Sequence, residues 1–527
     1  MSRVKLAVVA AVAGVALVPP AHAATFSPAV PTGRALTELA SADTALVAID
    51  RTEAAERLLR AAGGERLSAR LDIWQLRGRA AANVLPGLKR LGALRYAEPA
   101  RPRDAHVRFT DPLSTPELGY HLYAIGANAA EPPGPGFPVT ILDSGIDLAH
   151  PDFAGRPDTV ELNPQLVDVS DAEEYHGTAV ASTAAAAVNG VGAEGVYPQA
   201  LIRTYDLPTL SSPSLIRGIL TAVAAGSSVI NLSLGGPRAS RAEADTIAYA
   251  VGTGSLVVAA AGNELDEGNP IVFPAHYPHV LTVGATDRAG AASVFSSASA
   301  AVDLAAPGEE LPLQHPTDPT RHIPQSGTSF AAPIVSAAAA WIRTVRGAMN
   351  PTQLADLLRS TAKDVDVLGF DVRTGFGLLD IPAALAAPIP PVDPQEPNDD
   401  VREVVSGGLF AQAKRPVSTR FRARLDAFED PDDVYRVTAP RNRTVPITVT
   451  PTSDVRVALY GPRARTVAGR RERLAVSDRA GRRAEAVSYT NRGRVAQVLY
   501  LHVQPAPQAT VANPEYAVKI VRVRAPR

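Results

Sequence analysis

Cysteine is absent from the 527 residues. No disulfide braces the fold, and neither thiol catalysis nor a thiolate metal site is available. Net charge is nearly absent too, at −1, which argues against a nucleic-acid partner. Beyond the N-terminus no run of about 20 apolar residues occurs, so no later segment spans a bilayer. What is present is a globular composition, 46% apolar and 20% charged, in a chain long enough for two to four cores.

Arg3 and Lys5 precede the apolar run Leu6–Val18, and Ala21-His22-Ala23 follows. This is the pattern of an export signal, so residues 1–23 are expected to be removed and the mature protein to be secreted without a transmembrane anchor. Residues 24–42 read as a loose leader. Residues 43–103 alternate strand, helix, strand (RLSARLDIW), helix and strand, the order of a small α+β sandwich. Residues 104–136 are turn-rich and form an exposed connection, with a processing bond expected between Pro102 and Leu118. Residues 137–387 carry buried strand patterns such as FPVTILD, SVINLSL and SLVVAAAG, the sign of an α/β domain with a mainly parallel sheet. A Pro-rich linker, 388–397, leads to residues 398–527, whose short alternating segments predict an antiparallel β-sandwich. The fold class is therefore multidomain.

Three segments of the α/β region hold what acyl transfer needs. ILDSGIDLAHPDF puts Asp143 at the end of an apolar strand, EEYHGTAVAS puts His176 at the mouth of a small-residue helix, and QSGTSFAAP puts Ser329 at the start of another. Serine needs a base, and the imidazole needs a carboxylate to fix its tautomer. Ser329 alone also has a plain reading, as the cap of a buried helix. VVAAAGNE adds Asn263, whose amide suits an oxyanion donor or merely a turn.

These segments, with INLSLGG, FPAHYPHVLTVGA, FSSASAAVDLAAPG and TGFGLLD, resemble those of the subtilisin-like serine peptidases, in that family's order of Asp, His and Ser. The resemblance runs from about Leu113 to Leu385. It implies a serine endopeptidase acting on polypeptides, with Asp143, His176 and Ser329 as triad, Asn263 as oxyanion donor and no cofactor for the chemistry. It further implies that Ser233, Leu234 and Gly235 form an edge strand for the substrate backbone. Val272, in IVFPA, stands where the family often has glycine in the pocket wall, and its branched side chain disfavours large aromatic P1 residues. The α+β unit resembles the inhibitory propeptide, which occupies the cleft until it is cut. Ala179 and Ser182 replace a family His and Gly, and Phe330 replaces an oxidation-prone Met, so peroxide cannot form a sulfoxide there. The rival reading is a catalytically idle cell-surface binding protein on the same fold.

Gly190, Gly192 and Gly195 spell GxGxxG but follow a helix rather than a strand, and read as a turn. The acidic runs DPQEPNDD and EDPDD are either solvated turns or carboxylates able to hold structural calcium; their spacing is not that of an EF-hand. EPNDD followed by DDVYRV resembles the pre-peptidase C-terminal module. Of 52 Lys+Arg and 53 Asp+Glu, residues 401–527 hold 24 and 11, so an anionic cell-surface polymer is a candidate partner of that module.

Overall fold

The computed structural model describes residues 34–42, 44–99, 111–154, 156, 158–167, 175–314, 322–347, 349–393, 395–408, 415–417, 419–426, 428, 430–506 and 514–524. The expected export signal and most of the expected processing region lie outside these residues. The chain separates into two units, residues 1–106 and 107–527.

In the first unit, β1 (Ala45–Ile49), β2 (Glu65–Ser68), β3 (Ile73–Leu76) and β4 (Leu94–Pro99) form an antiparallel sheet in the order β2-β3-β1-β4. Helices Glu53–Ala61 and Gly78–Arg90 cover it, burying Leu59, Leu85 and Leu88 against Val47 and Trp74. Two expectations change here. RLSARLDIW is a hairpin rather than one strand, because Asp72 turns the chain at φ 49°. The supposedly loose leader contains a helix, Arg34–Ser41, held by fully buried Leu39.

The second unit begins with a seven-stranded parallel sheet of order β11-β10-β9-β8-β5-β7-β6. Its strands are β5 (Val139–Asp143), β6 (Thr159–Glu161), β7 (Ile202–Asp206), β8 (Val229–Leu232), β9 (Leu256–Ala260), β10 (Val280–Thr286) and β11 (Leu304–Pro307). The central strands are apolar on both faces because helices cover both, as parallel sheets require. The chain runs from β5 to β7 on one side and then returns to place β8 on the other. Such a switch point opens a crevice at the carboxyl ends of the strands, where ligands bind in open α/β sheets.

Across this sheet lies the helix Thr328–Arg346, buried almost all round from Thr328 to Ile342. Its run of alanines permits close approach to the strands, and its N-terminus ends at the crevice. Beyond residue 397 two antiparallel sheets face each other. One orders Arg420–Arg424, Glu515–Ile520, Arg443–Pro451 and Glu485–Asn491; the other orders Asp433–Ala439, Gln497–Pro505, Val455–Tyr460 and Arg473–Ser477. Alternate residues such as Val445, Ile447, Val457, Leu499 and Leu501 fill the space between them. Among the described residues no helix is long and apolar enough to cross a membrane.

Candidate active site

β5 ends on Asp143, 5% exposed. Its Oδ1 accepts from the Ser144 backbone N–H at 2.9 Å and from His176 Nδ1 at 2.8 Å. His176 opens the helix His176–Ala185, and glycine must follow it. A Cβ on Gly177 would lie 2.2 Å from the Gly145 carbonyl oxygen and 3.1 Å from Asp143 Cβ. Without that close approach the imidazole could not reach the carboxylate.

Burial by itself lowers the His176 pKa, but the Asp143 charge and hydrogen bond outweigh it, and the pKa lies above the ordinary 6.5. With Nδ1 donating to Asp143, the Nε2 lone pair is left to accept a proton. A general base at this position would act only as the neutral imidazole, and kcat/KM would then fall as pH drops through the raised value. A pH profile with an uncharged peptide substrate is expected to show an acid limb centred above 6.5. A midpoint at or below that value would contradict the coupling to Asp143.

Ser329 is the second residue of the helix Thr328–Arg346. Its Oγ donates to the Ser233 carbonyl at 3.4 Å, and no hydrogen bond from it to His176 is formed. The imidazole meets the same turn through Phe330, the two ring centroids lying 5.6 Å apart. A nucleophile and base are often this loosely joined before substrate arrives.

Asn263 follows β9 after Gly262, whose φ of 107° favours glycine. The Asn263 side-chain oxygen accepts from the Thr328 backbone N–H at 2.8 Å and from Thr328 Oγ1 at 2.9 Å. Two donors on the oxygen fix the amide orientation and leave Nδ2 as a donor facing away from Thr328. Thr328, in the Gly-Thr turn before the helix, thus orients this amide through both its backbone and its hydroxyl.

Ser329, Asn263, Gly235 and Val272 line one cavity of about 290 Å³. Ser233, Leu234 and Gly235 lie just past the end of β8 rather than within a strand, and neither Leu234 nor Gly235 makes a backbone ladder bond. Leu234, half-buried, and Gly235, exposed, border the cavity. Val272 stands between the two glycine walls: a Cβ on Gly235 would come within 2.4 Å of Val272 Cγ1, and one on Gly262 within 2.9 Å of Cγ2.

The acidic runs are not solvated turns. Asp430 is 8% exposed, Asp433 and Asn398 are fully buried, and Asp433 accepts hydrogen bonds from Asn398, Tyr435 and Tyr516. Asp393, Glu396 and Asp430 each bring a carboxylate oxygen to within 4.8 Å of the others. These residues line a cavity of about 40 Å³ between the parallel-sheet body and the sandwich. Of two arginines on its wall, Arg359 pairs with Asp303 and Asp356, while Arg424 pairs with Asp356 and its backbone N–H donates to Asp393 Oδ2 at 2.6 Å. The Asp430 Oδ1 has no hydrogen-bond partner. Burial, then the surrounding carboxylates, push the Asp430 carboxyl well above the usual range, and burial with the Asp433 charge raises Asp393 to about 8. A hard dication with oxygen ligands suits this set.

Comparison with known proteins bears on these residues. The sequence profile of the subtilase family matches residues 134–377. The chain is similar to a subtilisin of Bacillus pumilus, 36% identical over 254 residues, which span 47% of this chain and 90% of that protein. Against subtilisin E of Bacillus subtilis (strain 168) the identity is also 36% over 254 residues, and the chain spans 65% of that protein's length. The crystal structure of fervidolysin from Fervidobacterium pennivorans, described as a keratinolytic enzyme related to subtilisin, matches with 20% identity and a TM-score of 0.48, covering 84% of each chain.

Proposed function

The chain belongs to the subtilase family of serine endopeptidases, and on that premise we propose that Asp143, His176, Ser329 and Asn263 carry out peptide-bond hydrolysis in an exported zymogen. The 2.8 Å bond between His176 and the buried Asp143 carboxylate is the observation that most supports the assignment. His176 Nε2 takes the Ser329 proton as Oγ attacks the scissile carbonyl, and Asp143 stabilises the imidazolium. Asn263 Nδ2 and the Ser329 backbone N–H donate to the oxyanion. The imidazolium then protonates the leaving amine, and water, deprotonated by the same imidazole, releases the acyl group. No cofactor enters these steps.

An extended substrate pairs along Ser233, Leu234 and Gly235, so its main chain supplies affinity and its P1 side chain enters the cavity. Val272 shortens that cavity. Substituting Val272→Gly is expected to raise kcat/KM for P1 Phe by about tenfold or more relative to P1 Ala. A peptide library on the wild-type enzyme in which Phe or Tyr is strongly preferred would refute the assignment.

The α+β unit of residues 43–103 acts as folding assistant and inhibitor until it is cut, and the protein works outside the cell. Intact-mass measurement of the secreted protein beside Ser329→Ala tests this reading. Both proteins should lack residues 1–23, and wild type should in addition lack the residues up to about 100 that Ser329→Ala retains. Identical masses that both include residues 43–103 would favour the idle binding protein. On the Arg-rich module, Arg420, Arg422 and Lys519 are exposed on one sheet face, with Arg420 opposite Lys519, and an anionic polymer is the partner this charge favours.

Asp393, Glu396 and Asp430 hold a structural calcium ion that neutralises their shared charge. The sign of the pH dependence follows. Folded-state pKa values raised above unfolded ones mean that the native state binds more protons, so without metal stability falls as pH rises. In chelator, the Tm of the full-length Ser329→Ala protein should decline between about pH 5 and 8, and calcium should reverse the decline. Asp430→Asn should lower the number of bound calcium ions by one and flatten the decline. An unchanged calcium stoichiometry in that variant would remove the site.

A further inference from the structure

The helix that carries Ser329 contains a proline at position 333, four residues further on. Proline has no N–H, and its ring crowds the carbonyl of the residue four positions back. The carbonyl deprived of its helical donor is that of Ser329 itself. A donor arrives from the neighbouring sheet: Ser233 Oγ donates to the Ser329 carbonyl at 2.7 Å. Ser233 Oγ in turn accepts from Asn231 Nδ2 at 2.9 Å, which leaves the hydroxyl proton free to point at Ser329. The Asn231 oxygen accepts from Ser336 Oγ at 2.9 Å, one turn along the same helix beyond the proline. Asn231 and Ser336 are fully buried and Ser233 is 4% exposed, so no water competes for these bonds.

We propose that Ser233 is a positioning residue for the nucleophile, and that Asn231 and Ser336 aim its hydroxyl. The relay closes a loop across the proline: helix residue 336 to strand residue 231, to residue 233, and back to residue 329. Its consequence is mechanical. The backbone of Ser233 belongs to the segment proposed to receive substrate, and its side chain fixes the first turn of the nucleophile helix. Substrate register and Ser329 placement are therefore set by one residue, and a displacement of about 1 Å at the reacting atoms costs about a hundredfold in rate. The relay rests on the assignment of Ser329 as nucleophile and adds to it the parts that hold the nucleophile in place.

The test is a double-mutant cycle on the mature enzyme with a soluble peptide substrate. Ser233→Ala is expected to lower kcat by about tenfold to a hundredfold with KM within about twofold of wild type, because the backbone that binds substrate is intact. Ser233→Thr, which keeps a hydroxyl, should restore most of the loss. Pro333→Ala returns an N–H to the helix, so the double variant Ser233→Ala, Pro333→Ala should be faster than Ser233→Ala alone. An unchanged kcat in Ser233→Ala, a loss confined to KM, or a double variant no faster than the single one would overturn the proposal. Should Ser233→Ala fail to mature, Ser336→Ala replaces it, with a kcat loss of about threefold expected and an unchanged kcat overturning the relay. If wild type itself fails to react with a fluorophosphonate, the assignment of Ser329 fails, and that result is separate from any of these.

Discussion

Ser329→Ala is expected to lower kcat on a peptide substrate by about 10⁶-fold and to leave the folded protein otherwise intact. The side chain is one hydroxyl at the edge of a cavity, and its loss removes no core contact. The Thr328 backbone N–H still bonds Asn263, and the remainder of the helix is buried by its alanines. The residual rate should exceed that of water, since Asn263 and the substrate segment still bind and polarise the carbonyl. Thermal unfolding within a few degrees of wild type, measured on the same samples, separates lost chemistry from lost fold. A loss of only about tenfold would mean that another group, or water acting directly, attacks the carbonyl.

Asn263→Leu carries the next largest effect, a fall in kcat of about 10² to 10³ with KM nearly unchanged. The reason is that Nδ2 has charge to meet only once the oxyanion forms. The substitution also strips Thr328 of the oxygen that accepts from both its N–H and its hydroxyl. Thr328→Val is the control for that second consequence: it leaves the amide and the backbone N–H bond to it but removes the hydroxyl bond, so its kcat should fall between wild type and Asn263→Leu. If Thr328→Val were as slow as Asn263→Leu, orientation of the helix turn rather than oxyanion donation would carry the effect.

Asp143, His176, Ser329 and Asn263 could be picked out in the sequence because each sits where an apolar or small-residue segment starts or stops. Such ends are short-range features, legible in a few residues. The relay from Ser336 through Asn231 to Ser233 was not legible. Asn231 and Ser336 read as ordinary residues of a buried strand and a buried helix, Ser233 stood out only for its backbone, and the three meet Ser329 or one another across about a hundred positions. The acidic runs show the same limit from the other side. Asp393, Glu396 and Asp430 read either as turn residues or as calcium ligands on composition, and it is the fold that brings them together, with Asp430 buried and the other two half-buried. The strands Arg473–Ser477 and Glu485–Asn491 carry little apolar alternation, since half or more of their residues are polar or face solvent. Tertiary placement decides each of these, and a local pattern carries no record of it.

The proposed nucleophile can be tested in one measurement: fluorophosphonate labelling of the mature enzyme, followed by peptide mapping of the adduct. The phosphonyl group should be found on Ser329 alone, and Ser329→Ala should take up none. Labelling at a different serine, or no labelling of correctly folded wild-type enzyme after the N-terminal unit is removed, would contradict the account.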